Sequence, residues 1–382
     1  MPGAQTSRGT GFHGFTTGTY ISPHLGSVTE RLSICGRPIS EQEFAEAYEH
    51  LKPFLDVVDG HSTFAGGIRV TYFEALTALA YLWFADKPVG LGVFEVGMGG
   101  TWDATNLVHG DVAVIGPIGL DHRELGSTVE EVATEKAGIV KEGRIAVVRE
   151  QRAEAMAVIE RRATEVGATL LVEGRDFGLT TRGQALAGQA LSVRVGHGAY
   201  PDLFVPLFGE AAARNAAAAV AAVEALLGRA LDQDAVRQGL AAASSPGRLE
   251  VVGRHPLIVL DGAHNPDAAD ALVGALPEAF AWHRLHLVMA CFADKDVEAL
   301  ARTVAPLASV GYASANASPR SAPADRVAGA LRAAGVDPVE RFDSVAEALE
   351  AARTAAGDGD LILVTGSFYT VADARPLLVA GA

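Results

Sequence analysis

The chain has 382 residues, 49% of them hydrophobic, and a formal net charge of −15. This length exceeds one typical domain and suits two. The negative charge argues against a nucleic-acid partner, and no apolar run approaches the ~18 residues of a membrane-spanning helix. We therefore expect a soluble protein. The two cysteines, Cys35 and Cys291, show no metal-type spacing and the N-terminus shows no secretory pattern, so we expect it in the cytoplasm.

Capping signals predict the first helices. Ser40, Thr71 and Ser127 each stand three positions before a glutamate, which is the signature of a capping box. They predict helices over residues 40–51 and 71–84, and a third helix that follows Ser127.

The segment LGVFEVGMGGTWDATN, residues 91–106, holds the most informative strand. Residues 91–96 form an apolar run between turn residues, which predicts a buried strand near the centre of a parallel sheet. The strand ends on Glu95, whose carboxylate needs a partner or a metal in such surroundings. Glycines follow at once, and Asp103 and Asn106 add polar groups where open α/β sheets bind ligands. The alternative is an ordinary buried glutamate, satisfied by hydrogen bonds, before a glycine turn.

The rest of the chain alternates strands with helices. Short strands are predicted over residues 112–115, 145–148 and 169–172, and apolar runs between glycines over residues 177–207 predict an antiparallel hairpin region. Beyond a Pro/Gly break at residues 244–248, strands and helices alternate to the end, which predicts a second, doubly wound parallel sheet. No G-x-G-x-x-G fingerprint follows any strand, which disfavours a nicotinamide enzyme.

Seven motifs carry a resemblance to a known family: SPHL, GGTWDATN, LDH, EKAG, SPGR, DGAHNP and DKD, in that order. With them the chain resembles the bifunctional dihydrofolate synthase/folylpolyglutamate synthase family of Mur-ligase-like amide ligases. The resemblance implies an α/β fold, with a Mur-ligase-like central ATP- and pterin-binding domain over residues 1–246 and a Rossmann-like glutamate-ligase domain over residues 247–382. It also implies a monomer that uses ATP to join L-glutamate to dihydropteroate or a folate through an acyl phosphate.

Two alternatives stay open. One is a non-catalytic remnant that keeps the fold and folate binding but hydrolyses no ATP. The other is a Mur ligase of cell-wall precursors, although the TYFE and GGTWDATN segments fit the folate branch better. The resemblance does not distinguish addition of the first glutamate from addition of later ones.

Four residues are implied to hold metal. Ser22 of SPHL, Glu95 and His122 of LDH take the places of the family's magnesium ligands, and hydroxyl and carboxylate oxygens suit this hard cation. Lys136 of EKAG takes the place of a lysine that is carbamylated and so becomes a carboxylate-like ligand of a second metal. Glu95, His122 and Lys136 are therefore the implied catalytic residues. For a lone histidine after a strand, a structural role is the commoner one.

The resemblance also implies two substrate sites. The nucleotide site would consist of four residues: Asn215, Arg248, Asp261 and His264. Arg248 suits this role because a guanidinium group binds phosphate bidentately. The pterin pocket would be lined by six residues of the TYFE and GGTWDATN segments: Tyr72, Phe73, Glu74, Trp102, Asp103 and Ala104. For Phe73, core packing is at least as good an explanation.

One part of the family pattern has no counterpart in residues 1–15. At this point, or just upstream, the family has a strand, a glycine-rich phosphate loop of the GTNGKGS type and its helix. Here the first lysine is Lys52, and the glycine pair Gly9 and Gly11 lacks the lysine of such a loop. We therefore expect an incomplete reading of the gene, or a truncated or frame-shifted copy, that binds ATP poorly.

We predict that fusing a family-type strand, GTNGKGS loop and helix ahead of Gly18 restores ligation; we call this protein the extended form. The reason is that such a loop supplies backbone N–H groups and a lysine to the phosphates. The measurement is ATP- and glutamate-dependent ligation of dihydropteroate by the 382-residue chain and by the extended form. Comparable turnover by the 382-residue chain and the extended form would contradict this prediction.

Overall fold

The computed structural model describes residues 14–120 and 123–379. The chain divides into two compact units. The first comprises Met1–Ala185, Gln189–Pro206 and Ala213–Ser244, and the second comprises Leu186–Gly188, Leu207–Ala212 and Ser245–Ala382. Within the described ranges, no helix combines the length and apolar character that crossing a membrane requires.

Sixteen strands of the described residues are numbered in chain order. They are β1 Thr17–Tyr20, β2 Leu32–Ile34, β3 Arg37–Pro38, β4 Leu91–Phe94, β5 Val112–Ile115, β6 Ile145–Val148, β7 Thr169–Val172, β8 Gly178–Ala185, β9 Gly188–Val195, β10 Gly198–Val205, β11 Glu250–Arg254, β12 Leu257–Leu260, β13 Leu285–Met289, β14 Val310–Ala313, β15 Val339–Arg341 and β16 Leu361–Thr365.

The α-helices of the described residues are numbered in the same way. They are α1 Glu41–Phe64, α2 Tyr72–Asp86, α3 Val129–Ala137, α4 Ala153–Glu165, α5 Glu210–Leu227, α6 Gln233–Ala241, α7 Pro266–Ala279, α8 Val297–Val304, α9 Ala324–Ala333, α10 Val345–Ala355 and α11 Phe368–Ala374.

The described strands of the first unit form three sheets. β1 pairs with β4 in parallel, with Thr17 opposite Leu91, and the sheet has the order β3-β2-β1-β4. β5, β6 and β7 form a separate parallel sheet in which Val112 lies opposite Ile145 and Ile145 opposite Thr169. β8, β9 and β10 form the third sheet, where β9 and β10 are antiparallel. The predicted hairpin region is therefore confirmed.

The strand before Glu95 differs from its prediction. Among the described residues β4 is the last strand of its sheet rather than a central one. Three of its residues are only partly buried, and Gly92 is exposed. An apolar run predicts that a strand is buried, but it does not say which strands are its neighbours. The prediction of a central position is therefore wrong for the described sheet.

Helix α1 is longer than predicted. It runs from Glu41 to Phe64 through Pro53, although the sequence predicted an end near Leu51. Proline lacks one N–H and crowds the preceding turn, so it weakens a helix without always ending it. Leu51 is the buried residue of α1.

Capping boxes begin the first three helices. The boxes at Ser40 and Thr71 form as predicted. The third box is shifted by one residue, because Thr128 and not Ser127 caps α3. The Thr128 hydroxyl accepts the N–H of Glu131 at 3.2 Å, and the Glu131 carboxylate accepts the N–H of Thr128 at 3.3 Å.

The second unit contains a six-stranded sheet with the order β11-β12-β16-β13-β14-β15. All neighbouring pairs from β12 through β16, β13 and β14 to β15 are parallel. β11 lies at one edge and is antiparallel to β12. All residues of β13, β14 and β16 are buried, as expected of a parallel sheet covered on both faces. The predicted doubly wound sheet is confirmed. The short strands β11 and β15 and the helix α11 were not predicted.

A buried ion network lies at the carboxyl ends of β6 and β7. The Arg149 and Glu173 side chains are only 4% and 6% exposed, and Arg149 Nε donates to Glu173 at 3.1 Å. Arg214 Nε donates to the same carboxylate at 2.7 Å. Burial by itself raises the pKa of Glu173, but the hydrogen bonds from Arg214, the Glu150 amide and Arg149 outweigh it and hold that pKa below its ordinary value.

We predict that Glu173→Gln lowers the free energy of unfolding at neutral pH by about 3–5 kcal/mol, because two guanidinium groups lose their counter-charge. Because the folded pKa of Glu173 is lowered, its carboxylate stabilises the fold above the unfolded pKa, and this contribution is lost as the pH falls through the folded pKa. Urea unfolding across this acidic range measures both effects. Glu150→Gln, which removes a partner of Arg214 that is 71% exposed, is the control. It should change the unfolding free energy by less than ~1 kcal/mol, and equal losses in the two variants would contradict the prediction.

Candidate active site

The carboxyl ends of β1 and β4 lie side by side because the two strands are parallel neighbours. The N–H of Glu95 donates to the carbonyl oxygen of Tyr20 at 2.8 Å. The Glu95 carboxylate accepts the backbone N–H of Ser22 at 3.0 Å. The structure therefore brings together two of the residues that the sequence predicts as magnesium ligands.

A glycine loop follows β4 and lies directly on helix α3. A Cβ atom at Gly100 would stand 2.5 Å from the carbonyl oxygen of Glu135 and 3.0 Å from Cα of Lys136. A Cβ atom at Gly138 would stand 2.8 Å from Cα of Thr101. Only glycine fits at these two positions, so loop and helix touch backbone to backbone.

Glu135, which the sequence analysis did not single out, ties this loop to the helix. Its Oε1 accepts the N–H of Trp102 at 3.0 Å and the N–H of Gly100 at 3.3 Å. Its carbonyl oxygen accepts the N–H of Thr101 at 3.0 Å and the Thr101 hydroxyl at 3.1 Å. The acid stands in the EKAG motif directly before Lys136. No local pattern relates it to a loop so far upstream.

Glu95 and Lys136 line one cavity of about 610 Å³ in the first unit. Its wall also includes Asn106 and Lys141. Lys141 Nζ donates to the carbonyl oxygen of Asn106 at 2.9 Å and to its Oδ1 at 2.8 Å. Burial lowers the pKa of Lys141. Lys141 is a second residue that the sequence analysis missed, and it holds Asn106 at the cavity wall.

The predicted ligand His122 lies outside the described residues. In the ranges 14–120 and 123–379, no three His, Cys, Asp or Glu side chains cluster closely enough to hold a metal ion. Glu95 offers a carboxylate oxygen at the cavity, and Ser22 beside it carries a hydroxyl oxygen. Both are hard donors of the kind that magnesium requires, so these residues fit part of such a site.

Two of the predicted pterin residues are engaged within the fold. The Phe73 ring lies 5.9 Å from the Tyr20 ring and covers Gly97, where a Cβ atom would stand 2.4 Å from it. The Glu74 carboxylate closes the capping box by accepting the Thr71 N–H at 2.8 Å. The Phe73 side chain therefore has a packing role, and the Glu74 side chain has a helix-capping role.

Two other predicted pterin residues present aromatic rings to solvent. Trp102 is 89% exposed and Tyr72 is 60% exposed. The guanidinium group of the buried residue Arg31 lies 5.5 Å from the centre of the Tyr72 ring. Exposed rings of this kind can stack on a planar ligand.

Asp103 and Ala104 shape the chain that follows the glycine loop. The Asp103 carboxylate accepts the N–H of Thr105 through Oδ1 and the N–H of Met98 through Oδ2, each at 2.9 Å. The carbonyl oxygen of Ala104 accepts the Tyr81 hydroxyl at 3.2 Å. Asp103 therefore fixes the backbone on both sides of Trp102.

Asn215, a predicted nucleotide residue, belongs to the first unit. Its Oδ1 accepts a hydrogen bond from Nη1 of Arg149 at 2.6 Å. Arg149 is the arginine of the buried ion network, so that network orients the Asn215 amide.

The other three predicted nucleotide residues belong to the second unit, near the carboxyl end of β12. Asp261 is 7% exposed, and its carboxylate accepts the N–H groups of Leu249 and Ala263, each at 2.9 Å. Burial raises the pKa of Asp261, against the opposing effect of the Arg248 charge. The carboxylate thus holds the backbone directly after Arg248.

Arg248 and His264 lie on either side of this aspartate in the sequence. The Arg248 guanidinium group lies 4.3 Å from the centre of the Phe368 ring, at cation–π distance. His264 Nδ1 lies 3.1 Å from the carbonyl oxygen of Gly262.

Two family models match the chain. Residues 54–223 match the Mur ligase middle domain, and residues 247–368 match the Mur ligase glutamate ligase domain. These matches agree with the α/β architecture of both units and confirm the predicted fold class.

Individual relatives match nearly the whole chain. The dihydrofolate synthase/folylpolyglutamate synthase of Mycobacterium tuberculosis is 38% identical over 389 aligned residues, which cover 94% of this chain and 80% of the relative. A crystal structure of the Mycobacterium tuberculosis folylpolyglutamate synthase with ADP and AMPPCP has a TM-score of 0.95 at 36% identity, covering 99% of this chain and 88% of that one. An Escherichia coli relative solved with DHPP and ADP has a TM-score of 0.85 at 32% identity, covering 99% and 86%.

We predict that Glu135→Ala frees the glycine loop from α3, because the N–H groups of Gly100 and Trp102 lose their common acceptor. One lost hydrogen bond is worth about 1 kcal/mol, so these two amides should exchange with deuterium several times faster. Glu130→Ala, an exposed change in the same helix, is the control and should leave both exchange rates unchanged. Unaltered exchange in the Glu135 variant would show that backbone packing alone holds the loop.

Proposed function

We propose, on the premise that this chain belongs to the dihydrofolate synthase/folylpolyglutamate synthase family, that it joins L-glutamate to dihydropteroate or a folate in an ATP-dependent amide ligation. One structural observation is the main support for this function. The glycine loop is seated on the EKAG helix, so that Glu95 and Lys136 line one cavity. A cell-wall ligase and a non-catalytic remnant are not favoured, because the relatives reported above are named as folate ligases.

The ligation proceeds in two steps. An oxygen of the pterin-linked carboxylate attacks the γ-phosphorus of ATP, the bond to ADP breaks, and an acyl phosphate forms. The amine of glutamate then attacks the acyl carbon, phosphate leaves with the bonding electrons, and the amine loses a proton. Phosphoryl transfer depends chiefly on positioning and on neutralising charge. The side chains of the site therefore have to orient substrates more than to react with them.

We assign Ser22, Glu95 and His122 to a magnesium ion. When bound, magnesium neutralises negative charge on the phosphates. The 3.0 Å contact from the Ser22 N–H to the Glu95 carboxylate supports this assignment, because it keeps two oxygen-bearing residues together at the cavity.

We assign Lys136 to a second metal, in a carbamylated form. The ammonium group would first lose one proton, and the neutral amine at Nζ would then add carbon dioxide and lose a second proton, which turns a cation into a carboxylate-like anion. The position of Lys136 on the cavity wall that also carries Glu95 supports this role.

We assign the nucleotide to Asn215, Arg248, Asp261 and His264. Asp261 is a positioning residue in this proposal, because its carboxylate is buried and already accepts two backbone N–H groups. Arg248 is the residue whose charge can meet phosphate directly.

We assign the pterin to the six residues of the TYFE and GGTWDATN segments. Tyr72 and Trp102 would contact the ring system, because their own rings are exposed. The other four residues would position these rings without contacting the pterin, since their contacts hold the backbone that carries the rings; they are Phe73, Glu74, Asp103 and Ala104.

The proposal includes a cytoplasmic monomer with domains over residues 1–246 and 247–382. The unpaired cysteines Cys35 and Cys291 support a reducing compartment. The function is tested by incubating the protein, in its 382-residue and extended forms, with ATP, magnesium, L-glutamate and dihydropteroate. The expected result is one ADP and one phosphate for each glutamyl product identified by mass. ADP release without a glutamyl product, in both forms, would contradict the assignment.

We predict that Lys136→Ala abolishes ligation in the extended form, and that added short carboxylic acids partly restore it. A small carboxylate can occupy the place of a carbamate, whereas it cannot replace an ammonium group. Lys52→Ala is the control, because Lys52 is an exposed lysine paired with Asp56 at 2.8 Å. It should keep full activity. Full activity of the Lys136 variant, or restoration by amines instead of acids, would overturn the carbamate assignment.

We predict that Glu95→Gln raises the magnesium concentration needed for half-maximal ligation, with the fold intact. The amide keeps the acceptor for the Ser22 N–H but removes the negative charge that binds a hard cation. His122→Ala should shift the magnesium titration in the same direction. Magnesium titrations of both variants that match the parent protein would show that neither residue binds the metal.

A further inference from the structure

The ring of Phe368, at the start of α11, contacts two of the sequence motifs in the second unit. The guanidinium group of Arg248, from the SPGR motif, lies 4.3 Å from the centre of this ring. A Cβ atom at Gly262, from the DGAHNP motif, would stand 3.0 Å from the ring atoms Cγ and Cδ2. The ring therefore lies against the backbone of one motif and the charged side chain of the other.

The backbone around Arg248 is held from both sides. The N–H of Gly262 donates to the carbonyl oxygen of Gly247 at 2.8 Å, and the Asp261 carboxylate accepts the N–H of Leu249 at 2.9 Å. Leu249 has a φ of 44°, in the left-handed region that residues with a side chain rarely adopt. These contacts hold the main chain, whereas the long Arg248 side chain has several rotatable bonds of its own.

A buried polar cluster holds the first turn of α11, which carries Phe368. The Ser367 hydroxyl accepts the N–H of Thr370 at 3.0 Å. Asn316 Nδ2 donates to the Ser367 hydroxyl at 3.3 Å and to the Thr370 hydroxyl at 3.2 Å. The Thr370 hydroxyl in turn donates to the carbonyl oxygen of Ala290 at 2.6 Å. Segments that follow β13 and β14 therefore determine where the ring of Phe368 begins.

Stacking on a ring orients an arginine in a way that ion pairing does not. The N–H donors of a guanidinium group lie in its plane, so contact through its face uses none of them. Arg320, in the same unit, shows the other arrangement. Its guanidinium group lies 4.5 Å from the centre of the Phe292 ring, and its Nη2 also donates to the Asp294 carboxylate at 2.9 Å.

We propose that Phe368 is a positioning residue for nucleotide binding, whose ring holds the Arg248 guanidinium group with its N–H edge available to a phosphate group. The inference rests on the proposed function, because it takes the assignment of Arg248 to the nucleotide as its premise. A side chain that is already ordered loses less conformational entropy when phosphate binds. The ring should therefore contribute to nucleotide affinity without touching the nucleotide.

The first measurement needs no ligand. In the 382-residue chain, the Nε–H proton of Arg248 should resonate upfield of an unstacked arginine, because it lies over the face of a ring. Arg248→Gln identifies the signal by removing it. Phe368→Leu should abolish the upfield shift and Phe368→Tyr should keep it, since tyrosine retains the ring. Circular dichroism checks that each variant is folded.

The second measurement is a titration of the same proteins with ADP. Phe368→Leu should raise the dissociation constant about fivefold, and Phe368→Tyr should stay within about twofold of the parent protein. Phe292→Leu is the matched control, because it removes a stack of the same kind from an arginine that is paired with a carboxylate. It should leave the affinity for ADP unchanged.

A double variant tests whether the ring acts through Arg248. In the Arg248→Gln background there is no guanidinium group to position, so adding Phe368→Leu should weaken ADP binding no further. A ring that contacted the nucleotide itself would give the same additional loss in both backgrounds.

The possible failures are distinguishable. If Arg248→Gln leaves ADP binding unchanged, or the parent chain shows no saturation up to about 10 mM ADP, the nucleotide assignment fails and the inference fails with it. If Arg248→Gln weakens binding but Phe368→Leu does not, the inference alone is overturned. An Nε–H signal at the same position in the parent and in Phe368→Leu, or equal losses in the two backgrounds, would also overturn it.

Discussion

The close approach of the glycine loop to helix α3 is the constraint on which the candidate active site depends. Gly100 and Gly138 have no space for a side chain, so the backbone of the loop lies against the backbone of Glu135 and Lys136. This contact fixes the end of β4 relative to the end of α3. Glu95 and Lys136, which come from different elements, consequently line one cavity.

Carboxylates do much of the positioning around this contact. Glu135 holds two N–H groups of the loop, and Asp103 holds the backbone on both sides of Trp102. In the second unit Asp261 has the same role for the backbone next to Arg248. A carboxylate has about four acceptor positions, so one buried acid can order two stretches of chain. Several of these carboxylates therefore position the backbone, and fewer acidic groups are left to bind a metal ion or a substrate.

Much of the fold could be predicted from the sequence, because local signals decide it. The strands β5, β6 and β7 begin and end where their apolar runs do, and the alternation beyond Ser245 gives the second sheet. Among the described strands β4 lies at the edge of its sheet, and its own apolar run did not predict this position, since such a run does not encode which strands are its neighbours. The continuation of α1 through Pro53 also went against the local signal.

The site was predicted less completely than the fold, for a related reason. Motifs identified Glu95 and Ser22, which the structure brings into contact. They did not identify Glu135 or Lys141, whose partners lie more than thirty residues away in the chain. For Phe73 and Glu74, the motif indicated contacts with the pterin, whereas in the structure the Phe73 ring packs on Gly97 and the Glu74 carboxylate caps the helix. A pattern in sequence reports residue type, whereas the role depends on contacts that only folding creates.

The steric fit between the glycine loop and α3 has a consequence for how variation in this region is interpreted. Surface loops usually accept many substitutions, but even alanine at position 100 would overlap a carbonyl oxygen. A mutational scan would therefore report intolerance at Gly100 and Gly138 as strong as that expected of residues that bind substrate. Intolerance at these positions measures the distance between two backbones, and it carries no information about chemistry. A map of sensitive positions would outline the support of the site together with the site itself.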